Sequence, residues 1–227
     1  MSDQAPQHLH LKETSDGSHT LYNSVLNEHY HSHHGALQES RHVFIQAGFS
    51  KVFTAGNTIR ILEIGFGTGL NALLTLMESV RLSCPVVYTA LEPFPLSAGI
   101  IRSLNYTSLP GLSDYTSVFQ QMHSLAEGKQ QINAYFLLER SLHPLDQFSP
   151  SGMYDLVYFD AFAPEVQPEL WTEAVFQKLY DCLAPGGILV TYCAKGEVKR
   201  NMKKAGFLIE RLPGPPGKRE MTRAMKN

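Results

Sequence analysis

A chain of 227 residues, 43% hydrophobic and 18% charged, is long enough to bury one full core without disulfide or metal staples. Its apolar runs fall far short of the ~20 residues that cross a bilayer, so a membrane protein is not expected, and no basic segment leads into an apolar one at the N-terminus, so no secretory signal is visible. The formal net charge of −2 hides a segregation, because residues 195–227 carry ten Lys or Arg against three Glu and leave −9 on the rest.

Residues 1–20 are predominantly polar and are expected to form a flexible N-terminal tail. An extension is expected over 21–56, where "GALQESRHVFIQAGF" (35–49) has apolar positions at helical spacing and predicts a helix or short hairpin over one end of a sheet. Just before it, "HYHSHH" sets His29, His31, His33 and His34 within six residues. No cysteine pair or carboxylate motif completes a ligand set, so no metal is assigned.

From 57 to 227 the pattern is that of one α/β domain. The runs 58–65, 84–92, 132–139, 154–160 and 187–193 predict buried strands, with helices near 70–80, 96–104, 114–127, 168–183 and 196–205. Such alternation implies right-handed crossovers and a mostly parallel sheet with helices on both faces. "FLIERL" and "EMTRAMK", joined by "PGPPGK", add an antiparallel C-terminal pair and bring the expected sheet to seven strands. Trp171 shares helical spacing with Ala174, Val175 and Leu179, which predicts packing on the sheet. Cys84, Cys182 and Cys193 are odd in number and widely spaced, and they read as reduced thiols of a cytoplasmic protein.

"LEIGFGTGLN" places Gly65, Gly67 and Gly69 between the first core strand and a helix, where ligands of open α/β sheets bind. Leu70 stands where a dinucleotide fingerprint has its third glycine, and no phosphate-cradling GxxxxGK[ST] loop is present, which argues against NAD, FAD, ATP and GTP. Four acids, Glu63, Glu92, Glu139 and Asp160, are read at the carboxyl ends of successive strands. Such a rim repels a triphosphate and suits a ligand with a sulfonium, an amino group, ribose hydroxyls and an adenine amine, as S-adenosylmethionine has.

"EIGFGTG", the acid ending the second core strand and "LAPGGILVTY" resemble the Rossmann-like class I S-adenosylmethionine-dependent methyltransferases. More narrowly, "YHSHHGALQESRHVF", "GFGTGLN", "EPFPL", "DAFAPEVQPELW" and "GKREM" resemble the MnmC/MnmD methyltransferase family, from about Tyr30 to Met221. That family methylates the aminomethyl group on C5 of the wobble uridine, usually 2-thiolated, in the anticodon stem-loop of certain tRNAs. The resemblance implies that Glu63, Gly65, Gly67 and Gly69 line the methionine side of the cofactor, Glu92 binds the ribose hydroxyls and Glu139 sits near the adenine. It further implies that Tyr30 and Ser32, with Glu39, shape a lid, and that Asp160 stands beside the transferred methyl. A flavin oxidoreductase half is not recognised before Asn227, so the aminomethyl group is expected from an upstream enzyme acting separately.

Only a free amine attacks a sulfonium, and an alkyl amine with a pKa of about 10.4 is mostly protonated in water. Asp160 is therefore expected to orient or deprotonate the amine, with Phe162 and Pro164 as a rigid apolar wall; a cap or cofactor anchor is its alternative role. Lys199, Arg200, Lys203 and Lys204 on one helical side, and Lys218 and Arg219 on the "GPPGKRE" turn, are expected to contact tRNA phosphates. A solvated helix face is the plainer account of the same cations. Two other functions remain open, a small-molecule N-methyltransferase or polyamine aminopropyltransferase of the same fold, and a non-catalytic RNA-binding protein.

Overall fold

Short apolar and β-branched runs form the strands, and the amphipathic stretches between them form the helices. The computed structural model describes residues 8–125, 127–150 and 152–227; residues 1–7 of the expected tail and position 126 of the expected helix lie outside them. The strands are β1 (Leu9–Glu13), β2 (His19–Asn23), β3 (Glu28–His29), β4 (Ile59–Ile64), β5 (Val86–Leu91), β6 (Gly128–Asn133), β7 (Phe136–Ser141), β8 (Tyr154–Phe159), β9 (Leu183–Thr191), β10 (Leu208–Pro213) and β11 (Glu220–Met225). The α-helices are α1 (Ala36–Ser40), α2 (Ser50–Val52), α3 (Leu70–Arg81), α4 (Ala98–Ser103), α5 (Thr116–Ser124), α6 (Glu173–Cys182) and α7 (Gly196–Lys204), and a π-helical stretch, Arg41–Phe49, joins α1 to α2.

The main sheet has the order β10-β11-β9-β8-β4-β5-β7-β6. Strands β9, β8, β4, β5 and β7 are parallel neighbours, and β6 and the β10–β11 pair run antiparallel at the two edges. Eight strands replace the expected seven. "INAYFLLE" reads as one strand by composition, but Asn133 accepts from the Tyr135 N–H at 2.8 Å and turns the chain there. What precedes the turn is β6, and β7 runs on to Ser141.

Alternate residues of the central strands enter opposite cores, as a pleated strand requires. Ile61, Leu156 and Tyr158 pack with Ala72, Leu76, Phe44 and Met122 on one face, whereas Leu62, Val157 and Phe159 pack with Phe176, Leu179, Val198 and Met202 on the other. Helices α3 and α5 and the π-helical stretch thus cover one face, and α6 and α7 the other. Gly48 lets the π-helical stretch approach closely, since a Cβ there would lie 3.1 Å from both Tyr158 and Val190.

The N-terminal residues depart from the expectation of a tail through residue 20. Strands β1, β2 and β3 form a small antiparallel sheet, tied to the domain where Asn105 accepts from the His19 N–H at 2.8 Å and donates to the Gly17 carbonyl at 2.8 Å. The burial of β2 on both its faces, with Thr20 and Leu21 each 1% exposed, is what a count of polar residues misses. The expected helix or hairpin of 21–56 takes both forms, β2–β3 followed by the helical segment 36–52. Its helical part lies on the sheet face, with the Phe44 and Tyr158 rings 5.1 Å apart, rather than at one end. The "PGPPGK" turn docks on this extension, because Gly217, at φ 83, packs where a Cβ would overlap the His34 ring.

Candidate active site

The parallel strands end at a cavity of about 740 Å³, at the point where the sheet order diverges on either side of β4. Its floor is the loop that follows β4. Gly65 takes φ 89, and a Cβ there would lie 2.6 Å from the Asp160 backbone oxygen, so only glycine lets the β4 and β8 exits run this close. Gly69, at φ 74, opens α3 as its N-cap, away from the cavity wall. A Cβ on Gly67 would meet only the Tyr30 ring, at 3.3 Å, leaving that stretch of backbone approachable.

Glu92 leaves β5 and accepts from the Gly67 N–H at 2.8 Å and the Phe94 N–H at 3.0 Å. Burial lifts its pKa above the usual carboxylate range, against the pull of those two donors and of Arg140. Arg140 is itself buried on the Phe66 ring, 4.7 Å from its centroid, and donates to the Leu125 carbonyl at 2.7 Å. It brings positive charge close to Glu92.

Asp160 follows β8 immediately and faces the first turn of α3. Asn71 Nδ2 donates to Asp160 Oδ2 at 2.8 Å and to Glu63 Oε1 at 3.0 Å, while its Oδ1 accepts a short hydrogen bond from Ser40. One amide therefore spans two carboxyl groups. Burial, then the nearby Glu39 charge, push the Asp160 pKa up to about 7, opposed by Asn71 and Lys218. Glu63 is fully buried, and burial holds its pKa well above the usual carboxylate range.

That geometry corrects several expectations. Glu63 lies on the α3 face of β4 behind Asn71, one layer beneath the cavity, and does not line it. Glu139 stands mid-strand in β7 opposite Thr89, pairs with Lys129 at 3.4 Å and does not line the cavity either. Because β7 continues past it, the loop residues Pro144, Leu145 and Asp146 form that wall. Pro164 belongs to a neighbouring groove and not to the wall beside Asp160.

Gly65, Gly67, Glu92, Asp160 and Phe162 do meet at the cavity, together with Tyr30 and Ser32 from the extension. The Tyr30 ring meets Phe162 edge-on at 5.1 Å, and the Phe162 backbone is clamped, its N–H donating to Gln167 Oε1 at 3.0 Å and its carbonyl accepting from Trp171 Nε1 at 2.8 Å. Trp171 is buried, as its spacing predicts, and also fixes this turn. His31 sits between Thr20 and Thr68, and burial lowers its pKa to about 4, which keeps the imidazole neutral.

The basic residues divide. Lys199 is 8% exposed and donates to Glu220 at 3.0 Å, so it does not offer itself to a phosphate. Lys204 faces Glu173 at 3.4 Å, whereas Arg200, Lys203 and Arg219 are exposed. Lys218 reaches inward, 2.6 Å from Glu39 and 3.9 Å above the Tyr192 ring centroid, and lines the cavity.

Sequence reasoning missed Asn71, Arg140 and Asp146. Asn71 had a signal, a lone amide in the apolar run "LNALLTLM". Arg140 and Asp146 had none, because both depend on where β7 ends.

The sequence profile of the S-adenosyl-L-methionine-dependent methyltransferases matches residues 108–227, just over half of the chain. The tRNA 5-methylaminomethyl-2-thiouridine biosynthesis bifunctional protein MnmC of Pseudomonas paraeruginosa (strain DSM 24068 / PA7) is 32% identical over 229 residues, covering 95% of this chain and 34% of that protein. The protein of the same description from Cupriavidus necator (strain ATCC 17699 / DSM 428 / KCTC 22496 / NCIMB 10442 / H16 / Stanier 337) is 31% identical over 212 residues, covering 88% and 32%. The chain spans about a third of the length of these curated relatives. The crystal structure of MNMC2 from Aquifex aeolicus shares the fold, with a TM-score of 0.80 at 23% identity over 97% of this chain and 70% of that one.

Proposed function

Because the chain belongs to the S-adenosyl-L-methionine-dependent methyltransferases, we propose that it methylates the primary amine of 5-aminomethyluridine, 2-thiolated or not, at the wobble position of a tRNA anticodon stem-loop. The product is the 5-methylaminomethyl nucleoside. Relatives named for the biosynthesis of that nucleoside in tRNA support the choice of acceptor. The observation that carries the reading is Asp160: one oxygen is tied to Asn71 at 2.8 Å, and Oδ1 takes no hydrogen bond among the described residues.

The residues present fit the family's cofactor. Gly67 offers backbone a ligand can approach, Glu92 and Asp146 offer acceptors, and Ile64, Leu91, Pro93 and Leu145 offer apolar surface. Glu92 would receive the ribose hydroxyls, and the backbone at Gly65 and Gly67 would flank the methionine part. When bound, the cofactor supplies an electrophilic methyl group on a sulfonium.

Asp160 supplies the acceptor that an incoming ammonium needs. With its pKa near 7 against about 10.4 for an alkyl amine, the uphill proton transfer shrinks from about seven pH units to about three. Asn71 fixes the carboxylate so that the freed lone pair is held in one direction. Phe162, clamped at both backbone ends and covered by Tyr30, forms the rigid wall that keeps water off the amine.

Incubation with labelled methyl donor tests the reading. Label is expected in tRNA bearing 5-aminomethyluridine and not in tRNA lacking it; equal label in both, or in neither, defeats it. The reading also requires a preceding activity that installs the aminomethyl group. A cytoplasmic site for the reaction is part of the same proposal, supported by three buried free thiols. Among the described residues no helix is long and apolar enough to cross a membrane.

Replacing Trp171 by Phe removes the donor to the Phe162 carbonyl. It is expected to lower stability by about 1–2 kcal/mol, from one lost hydrogen bond and a small cavity. The KM of the methyl acceptor is expected to rise several-fold, with cofactor affinity measured by calorimetry unchanged.

A further inference from the structure

Beside the main cavity lies a second concavity of about 510 Å³, between the chain that leaves β9 and the "PGPPGK" turn. Ala163, Tyr192 and Lys218 line both, so a single wall separates them. Their charges are opposite. The main cavity presents Glu28, Glu39, Glu92, Asp146, Asp160 and Glu169 around Lys218, whereas the groove presents Lys195, Lys218 and Arg219 around Glu220. Glu220 already receives Lys199 at 3.0 Å, which leaves the groove cationic.

A nucleic-acid strand that offers one base to the acidic cavity cannot thread its phosphates past those carboxylates. Its backbone must leave across a wall that attracts anions, and the groove is such a wall, in contact with the cavity through three shared residues. We propose that the groove is a phosphodiester subsite, in which Lys195 and Arg219 hold the RNA backbone flanking the target nucleotide while its base occupies the main cavity. This rests on the tRNA reading above and says where the strand runs.

Lys195 pairs with Glu165, but the two side chains are 47% and 64% exposed, so the pair contributes little and a phosphate can displace the carboxylate. Arg200 extends the track onto α7, its guanidinium lying 3.3 Å from where a Cβ on Gly196 would be. The phosphodiester is preferred over other anions because a single ribose joins it to any base of the strand that enters the cavity. Backbone contacts of this kind position the strand without reading its sequence.

The test compares two acceptors with the full chain, the nucleoside 5-aminomethyluridine and a trinucleotide carrying it in the centre. Wild type is expected to favour the trinucleotide in kcat/KM by about 10–100-fold at low salt, with the preference fading as salt rises. In the double variant Lys195→Glu, Arg219→Glu, both at exposed positions, the preference should fall to about twofold or less. The salt slope of binding should shrink by about 0.7 for each cation removed. A wild-type preference near unity, or one that survives the double substitution, overturns the subsite. Methylation of neither acceptor, with tRNA bearing 5-aminomethyluridine also left unlabelled, overturns the reading of the main cavity instead. Fluorescence anisotropy of labelled single-stranded RNA then still decides the groove, because wild type must bind it more tightly than the double variant.

Discussion

Asp160→Asn is expected to lower kcat by roughly 10²–10⁴-fold, the range lost with a positioned general base, while cofactor affinity changes far less. The substitution keeps the shape of the side chain and still lets Asn71 donate to an oxygen. It removes only the ability to take a proton or hold an ammonium. In the wild type, turnover should rise with pH through about 7 as Asp160 ionises, and this acid limb should vanish in the variant.

Stability moves the other way. A carboxyl group whose pKa is raised on folding keeps a proton that the unfolded chain releases, so its stability is complete below the ordinary carboxylate pKa and is lost as pH rises to about 7. Asp160→Asn abolishes that loss. Its unfolding free energy should match wild type near pH 4 and exceed it at pH 8, by on the order of 4 kcal/mol. An equal loss of cofactor binding and turnover would instead identify Asp160 as a cofactor anchor. A melting advantage that does not grow with pH would contradict the burial argument.

Asn71→Asp is the second large effect. The amide gives its two N–H groups to Glu63 at 3.0 Å and Asp160 at 2.8 Å, inside a site where Asn71 is 3% exposed. A carboxylate of the same shape removes both donors and adds a third acid. Either the protein takes up another proton or it holds an unpaired buried charge, which costs about 3–5 kcal/mol. The sign again follows from a raised pKa: the deficit should be small at pH 5 and large at pH 8, read by urea unfolding at the two values. A variant within about 1 kcal/mol of wild type at both pH values would mean that the bridge does not hold the two carboxyl groups. Single-turnover rates should fall with it, since Asp160 loses the contact that fixes its orientation.

Both variants test features that the sequence reveals unequally. The acid after "VVYTAL", the acid after "YDLVYF" and the glycines after "IRILEI" are legible, because buried parallel strands are continuous apolar runs and whatever ends them stands at the sheet edge. Glu63 fails this logic by being inside its strand, where the pleat turns it toward α3 and away from the edge. Glu139 fails because a local turn, closed by Asn133, splits one apparent strand in two and shifts the true strand end to Ser141. Composition cannot separate a strand from a hairpin when the turn uses a single polar side chain.

The cations show the same limit. Ten basic residues near the C-terminus are countable, but Lys199, Lys204, Arg223 and Lys218 face acids at 3.0, 3.4, 2.7 and 2.6 Å, and those partners lie 13 or more positions away in the chain. The sequence by itself determined the α/β class, the glycine loop behind the first core strand, and Glu92 and Asp160 at strand ends, because each follows from interactions between near neighbours along the chain. Only the tertiary structure decided the eighth strand, the N-terminal sheet, the amide joining two carboxyl groups and the separation of an acidic cavity from a basic groove. Those depend on contacts between residues far apart in sequence, such as Asn71 with Asp160 and Glu39 with Lys218, whose geometry exists only once the sheet has brought them together.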